Sequence, residues 1–422
     1  MNSSSRRQEQ RGAATLVVVM VLFFIIAMMA AYANRNLVFE QRISSNYYRS
    51  GLAAETAEAG LEWAIARLNG GLIDTACVDD ASAASSFRER YLDIDNSRAI
   101  TTDLNRSTPI AACIVTAEQG LKCTCRVDGE TKGLSAPTST LFQPMFGIAL
   151  TPVSRPGVVR ATVTACTDTL SSCSSSSSAA VAAGFATATA TVDLALLSAL
   201  KVPPASPLIV RSSTDLGSAG LGLHNAEPSV SGLLLQTGGS LSGSTARSTS
   251  LPGSPVKDAL IANDTSLSGT TPDQLFSKFF GMLPATYREQ PATRRISCSD
   301  DCSATVQQAY AQGGRLIWVD GPLNLRSNLE IGSAEDPLII VCAGALTMEG
   351  PMRLGGLVYA RGDASWTNSS AMPASLTGAM IVEGAFSAAG TVDIIYRADV
   401  LSALSNQRGS FVRVPGSWTD IQ

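Results

Sequence analysis

The longest apolar segment of the chain lies near its N-terminus. Residues 13–33, AATLVVVMVLFFIIAMMAAYA, carry no charge. At about 1.5 Å of rise per residue, a helix of this length covers the roughly 30 Å of a bilayer core. Three arginines precede it (Arg6, Arg7 and Arg11), and basic residues favour the cytoplasmic side of a membrane. The pattern predicts a single-pass anchor whose N-terminus is cytoplasmic.

A helical pattern continues beyond the apolar segment. No proline occurs before Pro109, and Asn69-Gly70-Gly71 is a typical helix end. Small and apolar residues follow alternating steps of four and three: Ile43, Tyr47, Ser50, Ala54, Ala57, Leu61, Ala64 and Leu68. We therefore expect one helix over residues 13–68, apolar all round in its first half and amphipathic in its second. A cleaved secretory signal would be shorter and would be followed by a turn, whereas an ordinary anchor with a stalk helix remains an alternative.

Short strands dominate the expected structure after the helix. Residues 71–200 contain alternating stretches, such as those at 158–164 and ATATATVDLALL, that favour a β-rich head packed on the amphipathic half of the helix. The serine tract in SSCSSSSSAA has the composition of a solvated loop.

Residues 201–422 are rich in glycine and show a weak repeat. Four segments share a short apolar stretch, a glycine and a second apolar stretch, with the glycines at Gly321, Gly344, Gly362 and Gly384. The gaps of 23, 18 and 22 residues are typical of β-solenoid coils, with a regular β-sandwich as the alternative. SGLLLQTGGSLSG resembles a further coil, and residues 273–283 place four apolar residues on one face of a short helix covering the β core. The predicted class is α+β.

The nine cysteines favour an oxidising compartment, because most lie in polar stretches. Cys166 with Cys173, and Cys298 with Cys302, are close enough in sequence to form small disulfide loops. Cys342, in the apolar segment LIIVCAG, is the expected buried free thiol.

Composition argues against several function classes. A net charge of −4 and a pI of about 5.3 argue against nucleic acid as a partner. His224 is the single histidine, no Gly-x-Ser-x-Gly motif lies near it, and the chain contains no phosphate-binding loop motif. We expect no enzyme activity, no cofactor and no metal site.

The N-terminal region resembles that of type IV prepilins. RGAATLVVVMVLFFIIAMMA, followed by FEQRISSNYYRSGLAAETAEAGLEWA, looks like a PilX-type minor pilin. The resemblance implies a leader, residues 1–12, that prepilin peptidase cleaves after Gly12 to leave a methylated Ala13. It further implies that the helix packs on other pilin helices, and the small-residue positions expected to contribute to helix packing are Ala54, Ala57, Gly60 and Leu61.

One position departs from the pattern of major pilins. Their fifth mature residue is a glutamate, whereas this chain has Val17 there, and its next carboxylate is Glu40. The subunit therefore cannot offer that carboxylate to a neighbour's terminal amine, although it can present its own amine to another subunit. Such one-sided pairing suits the end of a filament. A K-type pseudopilin of a type II secretion system lacks the glutamate as well.

The C-terminus adds to the resemblance. IIYRADVLSAL and VRVPGSWTDIQ look like the ending of PilX-type proteins with a large C-terminal region. Within the tail motif, Pro415, Gly416 and Ser417 predict a turn. Trp418 is expected to plug the last coil, with a partner contact at the filament tip as the alternative.

The sequence therefore predicts a minor pilin with five parts: leader 1–12, membrane helix 13–33, amphipathic half 34–70, β-rich head 71–200 and solenoid-like region 201–422. The resemblance implies the inner membrane and then the pilus tip as locations, and a role in pilus assembly and twitching motility. Its implied partners are prepilin peptidase, the major pilin, other minor pilins and a PilY-type tip adhesin. The alternatives are the K-type pseudopilin and a membrane-tethered β-solenoid protein that binds or cleaves carbohydrate.

Overall fold

The computed structural model describes residues 10–102, 109–116, 120–126, 143–167, 185–326 and 328–421. They form one long helix, an antiparallel head sheet packed on its second half, and a stack of parallel β-coils. The predicted α+β class, with a long N-terminal helix and a β-rich body, is confirmed.

Seven α-helices lie in the described ranges. Their bounds are α1 Gln10–Leu68, α2 Phe87–Tyr91, α3 Thr265–Ser268, α4 Pro272–Phe280, α5 Pro284–Arg288, α6 Ser303–Ala311 and α7 Ala398–Asn406. Short 3-10 turns occupy Pro228–Val230 and Val256–Ala259.

The same ranges contain 26 strands. The first seven are β1 Leu92–Ile94, β2 Ile100–Thr102, β3 Ala111–Thr116, β4 Gly120–Cys125, β5 Met145–Pro152, β6 Val158–Cys166 and β7 Thr187–Ser198. The next ten are β8 Leu208–Val210, β9 Thr214–Asp215, β10 Gly222–His224, β11 Leu235–Thr237, β12 Leu241–Ser242, β13 Leu260–Ile261, β14 Thr293–Ile296, β15 Leu316–Val319, β16 Leu323–Leu325 and β17 Leu329–Ile331. The last nine are β18 Leu338–Cys342, β19 Leu346–Glu349, β20 Met352–Ala360, β21 Ala364–Asn368, β22 Ser375–Val382, β23 Phe386–Gly390, β24 Asp393–Ile395, β25 Gly409–Arg413 and β26 Thr419–Ile421.

Helix α1 is continuous over 59 residues, about 88 Å at the usual rise. It ends at Leu68, as Asn69-Gly70-Gly71 predicts. Asn69 fixes this end: its Nδ2 donates to the carbonyl of Phe411 at 2.9 Å, and its Oδ1 accepts from the Phe411 amide at 2.7 Å. The helix end is thereby attached to a strand more than three hundred residues away in the chain.

The head sheet is antiparallel, in the order β25-β7-β6-β5-β3-β4, and β26 also pairs with β7. One face of this sheet packs on α1. Strand β7 alternates inward Ala190, Val192 and Leu194 with outward polar residues, which explains why ATATATVDLALL forms a strand. The serine tract lies outside the described residues.

The C-terminal tail differs from its predicted place. Residues 409–421 return to the head and extend its sheet through β25 and β26. The predicted solenoid-like region, 201–422, therefore ends before the tail. Antiparallel pairing with β7, 211 or more positions earlier in the chain, left no trace in the local sequence pattern.

Residues 208–395, which lie in the sequence between the two segments that build the head, form two sheets of parallel strands. Sheet A has the path β13-β11-β8-β22-β20-β18-β15-β14, with β10, β17 and β24 paired beside it, and sheet B has the order β12-β9-β23-β21-β19-β16. Every pairing within them is parallel in the described residues. Six strands of sheet A are each followed along the chain by a strand of sheet B: β8, β11, β15, β18, β20 and β22.

The coils do not stack in chain order. The first three strands on the path of sheet A are β8, β11 and β13, and they follow one another from the middle of the sheet to one edge. After α3, α4 and α5 it begins again at the opposite end with β14, and successive coils then return until β22 pairs with β8. The segment SGLLLQTGGSLSG supplies β11 and β12, as predicted, but it stacks on the first coil.

The repeating glycines lie at the corners between the two sheets. At Gly362, a Cβ atom would come within 2.9 Å of the Gly344 carbonyl carbon, and at Gly344 within 2.8 Å of the carbonyl carbon of Gly321. Such separations are too short for a side chain. The glycines recur because adjacent coils approach each other through their backbones at this corner.

Helices cover the outer face of sheet A. Helix α4 begins at a capping box between Thr271 and Gln274 and ends at Gly281, whose φ is 71°. Its apolar residues Leu275, Phe276, Phe279 and Phe280 are buried with side chains of α5, α7 and sheet A. The predicted short helix is therefore confirmed, and it covers the face of the sheet.

Four charged residues join the head to the coils. In this junction network, Asp336 accepts from Arg315 at 2.6 Å and from Arg408 at 2.9 Å, and Arg408 also pairs with Glu89 of α2 at 3.1 Å. Tyr310 donates its hydroxyl to Asp336 at 2.7 Å. Both arginine side chains are 16% exposed, so the network is largely shielded from water.

Candidate functional site

The N-terminal part of α1 projects from the head. All described side chains from Ala14 to Tyr48 are exposed, including large apolar ones such as Phe23 and Ile26. Within the described residues, α1 is the one helix long and apolar enough to span a membrane. An apolar surface of this length needs a lipid or protein environment.

The second half of α1 packs against the chain's own head. Ala57, Gly60 and Leu61 are buried, and Ala54 is half-buried. A Cβ atom on Gly60 would lie 2.6 Å from a methyl group of Val163, which shows how closely helix and sheet approach. These predicted packing residues therefore form the helix–head interface, whereas residues 14–48 of the same helix are exposed.

The predicted processing residues lie at the start of this helix. Gly12 and Ala13 are in the first turns of α1, whereas residues 1–9 of the predicted leader lie outside the described residues. Val17 is 58% exposed. Glu40, the next carboxylate, lies on the exposed part of the helix about 35 Å further along it.

The cysteines form more disulfides than the sequence suggested. Cys298 bonds to Cys302, whereas Cys166 is disulfide-bonded and Cys173 lies outside the described residues. Two further disulfides, which sequence reasoning missed, join Cys77 to Cys125 and Cys113 to Cys123.

The missed pairs depend on strand register. Cys113 and Cys123 face each other across β3 and β4, whereas Cys125 reaches the loop after α1. The close spacing of Cys123 and Cys125 was therefore no guide to their partners. Cys342 is free and buried, as its apolar context predicts, and burial raises the pKa of its thiol to about 11.

The tail motif lies on the head. Val414 donates its amide to the carbonyl of Asp193 at 2.8 Å, and the Asp193 amide donates to Ser417 Oγ at 3.1 Å. Gly416 has a φ of 76°, which closes the predicted turn. Trp418 follows at 44% exposure, beside the head strand β7. The expectation that Trp418 plugs the last coil is therefore wrong, because the tail leaves the coils before reaching it.

We expect Trp418→Ala to lower the free energy of unfolding by about 1–2 kcal/mol, less than the loss of a fully buried indole costs, since 44% of this residue's surface remains in water. The matched control is Trp366→Ala, which removes a fully buried indole from the coil interior and should cost about 3–5 kcal/mol. Denaturant midpoints of the two variants check this. Equal losses would contradict the exposed position of Trp418.

His224 belongs to a cluster of hydrogen-bonded side chains that links two coils. Its Nε2 lies 3.0 Å from Asp393 Oδ1, and its Nδ1 lies 2.8 Å from Thr249 Oγ1. Arg247 binds both oxygens of the same carboxylate at 2.6 and 2.7 Å. Strand β10 belongs to the first coil along the chain and β24 to the last. The cluster therefore joins the first and last coils. Among the described residues, no group of three or more His, Cys, Asp or Glu side chains is placed to hold a metal.

This geometry defines the class: an α+β protein whose single apolar helix projects from a head that the same helix helps to build. Residues 11–62 match the family model described as PilX N-terminal. The predicted resemblance to PilX-type minor pilins is confirmed by this match, which covers the exposed apolar part of α1 and most of its packed part.

Two further comparisons add little. The competence-associated pilin ComZ from Thermus thermophilus is similar at 12% identity with a TM-score of 0.22, covering 88% of this chain and 97% of that one. A likeness of this size carries no inference. No curated protein sequence matches the chain.

Proposed function

We propose that this protein is a minor pilin that takes part in type IV pilus assembly, with its body at or near the filament tip. The observation that carries the proposal is α1: its apolar half is fully exposed, its other half builds the head, and its sequence matches the PilX N-terminal family. A helix of this kind can sit in the inner membrane and then pass into a bundle of like helices without losing its apolar environment.

The size of the body supports a place at the end of the filament. Beyond the head, the chain adds two parallel sheets of coils and the helices on sheet A. Such a body is too large to repeat regularly along a filament of closely packed subunits. Val17 supports the same place, because a subunit without the fifth-position carboxylate pairs with a neighbour in one direction only.

Processing gives the first test. We expect the membrane-extracted protein to lose residues 1–12 and to carry a methylated Ala13, in a strain that has prepilin peptidase. In a strain without the peptidase, Met1 should remain. Intact-mass and N-terminal peptide mass spectrometry measure both states. Retention of Met1 in both strains, or cleavage near residue 33, would overturn the pilin assignment.

Location gives the second test. Immunogold labelling should place the body at pilus ends, and labelling spread evenly along filaments in stoichiometric amounts would contradict a tip role. Partners implied by this role are other minor pilins and the major pilin, which cross-linking through residues 14–48 should capture, and a PilY-type tip adhesin, which cross-linking through the body should capture.

A second candidate is the K-type pseudopilin of a type II secretion system, since Val17 fits both. Deletion of the gene separates them. Loss of piliation and twitching supports the pilus, whereas loss of exoprotein secretion with normal pili supports the secretion system.

A further inference from the structure

Sheet B presents a polar outer face. Outward polar residues alternate with buried ones along its strands, as in β21, where Ala364 and Trp366 are buried and Ser365 and Thr367 face outward. One outward position per strand forms a continuous row across the sheet: Ser242, Asp215, Ser387, Ser365, Thr347 and Asn324.

The row follows the strand register. Ser387 lies opposite Asp215 and Ser365, and Thr347 lies opposite Ser365. Neighbouring strands are about 4.8 Å apart, so the six positions extend over roughly 24 Å. The spacing between neighbouring strands is close to the length of one hexose in an extended β-1,4-linked chain. Each sugar of such a chain, lying across the strands, would therefore meet an equivalent polar position.

A groove of about 410 Å³ lies over the middle of this row. Its lining combines serine and threonine hydroxyls with the carboxylates of Asp215 and Asp363. Each carboxylate has one oxygen held by a backbone amide, from Gly217 at 3.0 Å and from Ala385 at 2.8 Å. The carboxylates are thus oriented at the groove before any ligand arrives.

The charge on the outer face of sheet B favours a neutral ligand over an anionic one. No lysine or arginine is among the described residues that line the groove. Arg326, further along the sheet, pairs with Asp300 at 3.1 Å and Glu349 at 3.5 Å. Phosphates and uronates need uncompensated cations, whereas sugar hydroxyls can donate to the carboxylates and exchange hydrogen bonds with the serines.

We propose that sheet B binds a neutral, extended polysaccharide along this row, with Asp215, Ser365 and Ser387 as central contacts. The site is a binding surface, and the proposal includes no cleavage step. It is independent of where the protein sits in a pilus, so the processing test and the binding test can fail separately.

The test uses the full chain purified in detergent and isothermal titration with cellohexaose, xylohexaose, mannohexaose and chitohexaose. We expect at least one of them to bind, and hexagalacturonate, an anionic chain, to bind more weakly. Ser365→Ile removes a hydroxyl and fills the groove, and it should weaken binding at least about tenfold. Asp215→Asn should weaken binding too, while its Oδ1 can still accept the Gly217 amide.

The matched control is Thr367→Ile, which makes a comparable change on the same strand outside the groove lining. Circular dichroism establishes that all variants keep their fold. The proposal is overturned if no neutral hexasaccharide binds the folded protein, if Ser365→Ile and Thr367→Ile bind equally well, or if hexagalacturonate binds best.

Discussion

Replacing Asp336 by alanine is expected to loosen the head from the coils and to lower the free energy of unfolding by about 3 kcal/mol. The carboxylate receives hydrogen bonds from Arg315 and Arg408, each only 16% exposed, and without it both guanidinium groups lose their shared anion in a largely dry site. Denaturant unfolding measures the loss, and limited proteolysis at the junction reports the separation of head and coils.

Glu335→Ala is the matched control, because Glu335 is exposed and accepts a hydrogen bond from Ser333, two residues away. It should change stability by less than about 0.5 kcal/mol. Burial acts to raise the pKa of Asp336, but the hydrogen bond and charge of Arg315 outweigh it and hold the pKa below its usual value. The contribution of this carboxylate is thus complete above about pH 4 and is lost as pH falls below that. Equal acid sensitivity in Asp336→Ala and the parent would contradict the role of the network.

Substituting Gly60 by leucine is expected to separate α1 from the head sheet, at a cost of about 3 kcal/mol or more. Even a single Cβ atom there would meet Val163 at 2.6 Å and the Phe146 ring at 2.9 Å. A branched methyl and a buried ring can shift little, since both lie in the packed core of the head. Thermal unfolding of the detergent-solubilised protein measures the loss.

Gly51→Leu gives a control on the same helix. Nothing lies within 4 Å of a Cβ atom at Gly51, so this change should stabilise the helix by up to about 1 kcal/mol through backbone entropy alone. Opposite signs for the two glycines are the expected result. Destabilisation by both would mean that the helix contacts the head one turn earlier than described, and tolerance of both would mean that Gly60 is not at the interface.

Local pattern was sufficient to predict the long helix, its end after Leu68, the strand at β7 and the short helix α4. In each case the signal is periodicity or a capping residue within a few positions, and such interactions are made inside the element itself. The glycine repeat also predicted the coils, because close backbone approach at a corner selects glycine wherever coils stack.

Long-range pairing was beyond the reach of the local pattern. The return of the tail to β7, which leaves Trp418 exposed, and the Cys77–Cys125 disulfide join segments that no nearby residue specifies. The Cys113–Cys123 disulfide spans only ten positions, but it depends on the register of β3 and β4. The order of the coils is a further case, because any parallel strand with an apolar inner face can pair with another, and the pairing of β22 with β8 is not specified by the residues of either strand alone.

By itself, the sequence determined the apolar N-terminal segment, the continuous helix, the β-rich body that follows and the resemblance to PilX-type pilins, since these depend on composition and short-range periodicity. The tertiary structure alone decided which half of α1 remains exposed, where the tail lies, and that six polar positions from distant segments form one row on sheet B. The physical reason is that burial and register are properties of contacts between segments, and those contacts exist only once the chain has folded.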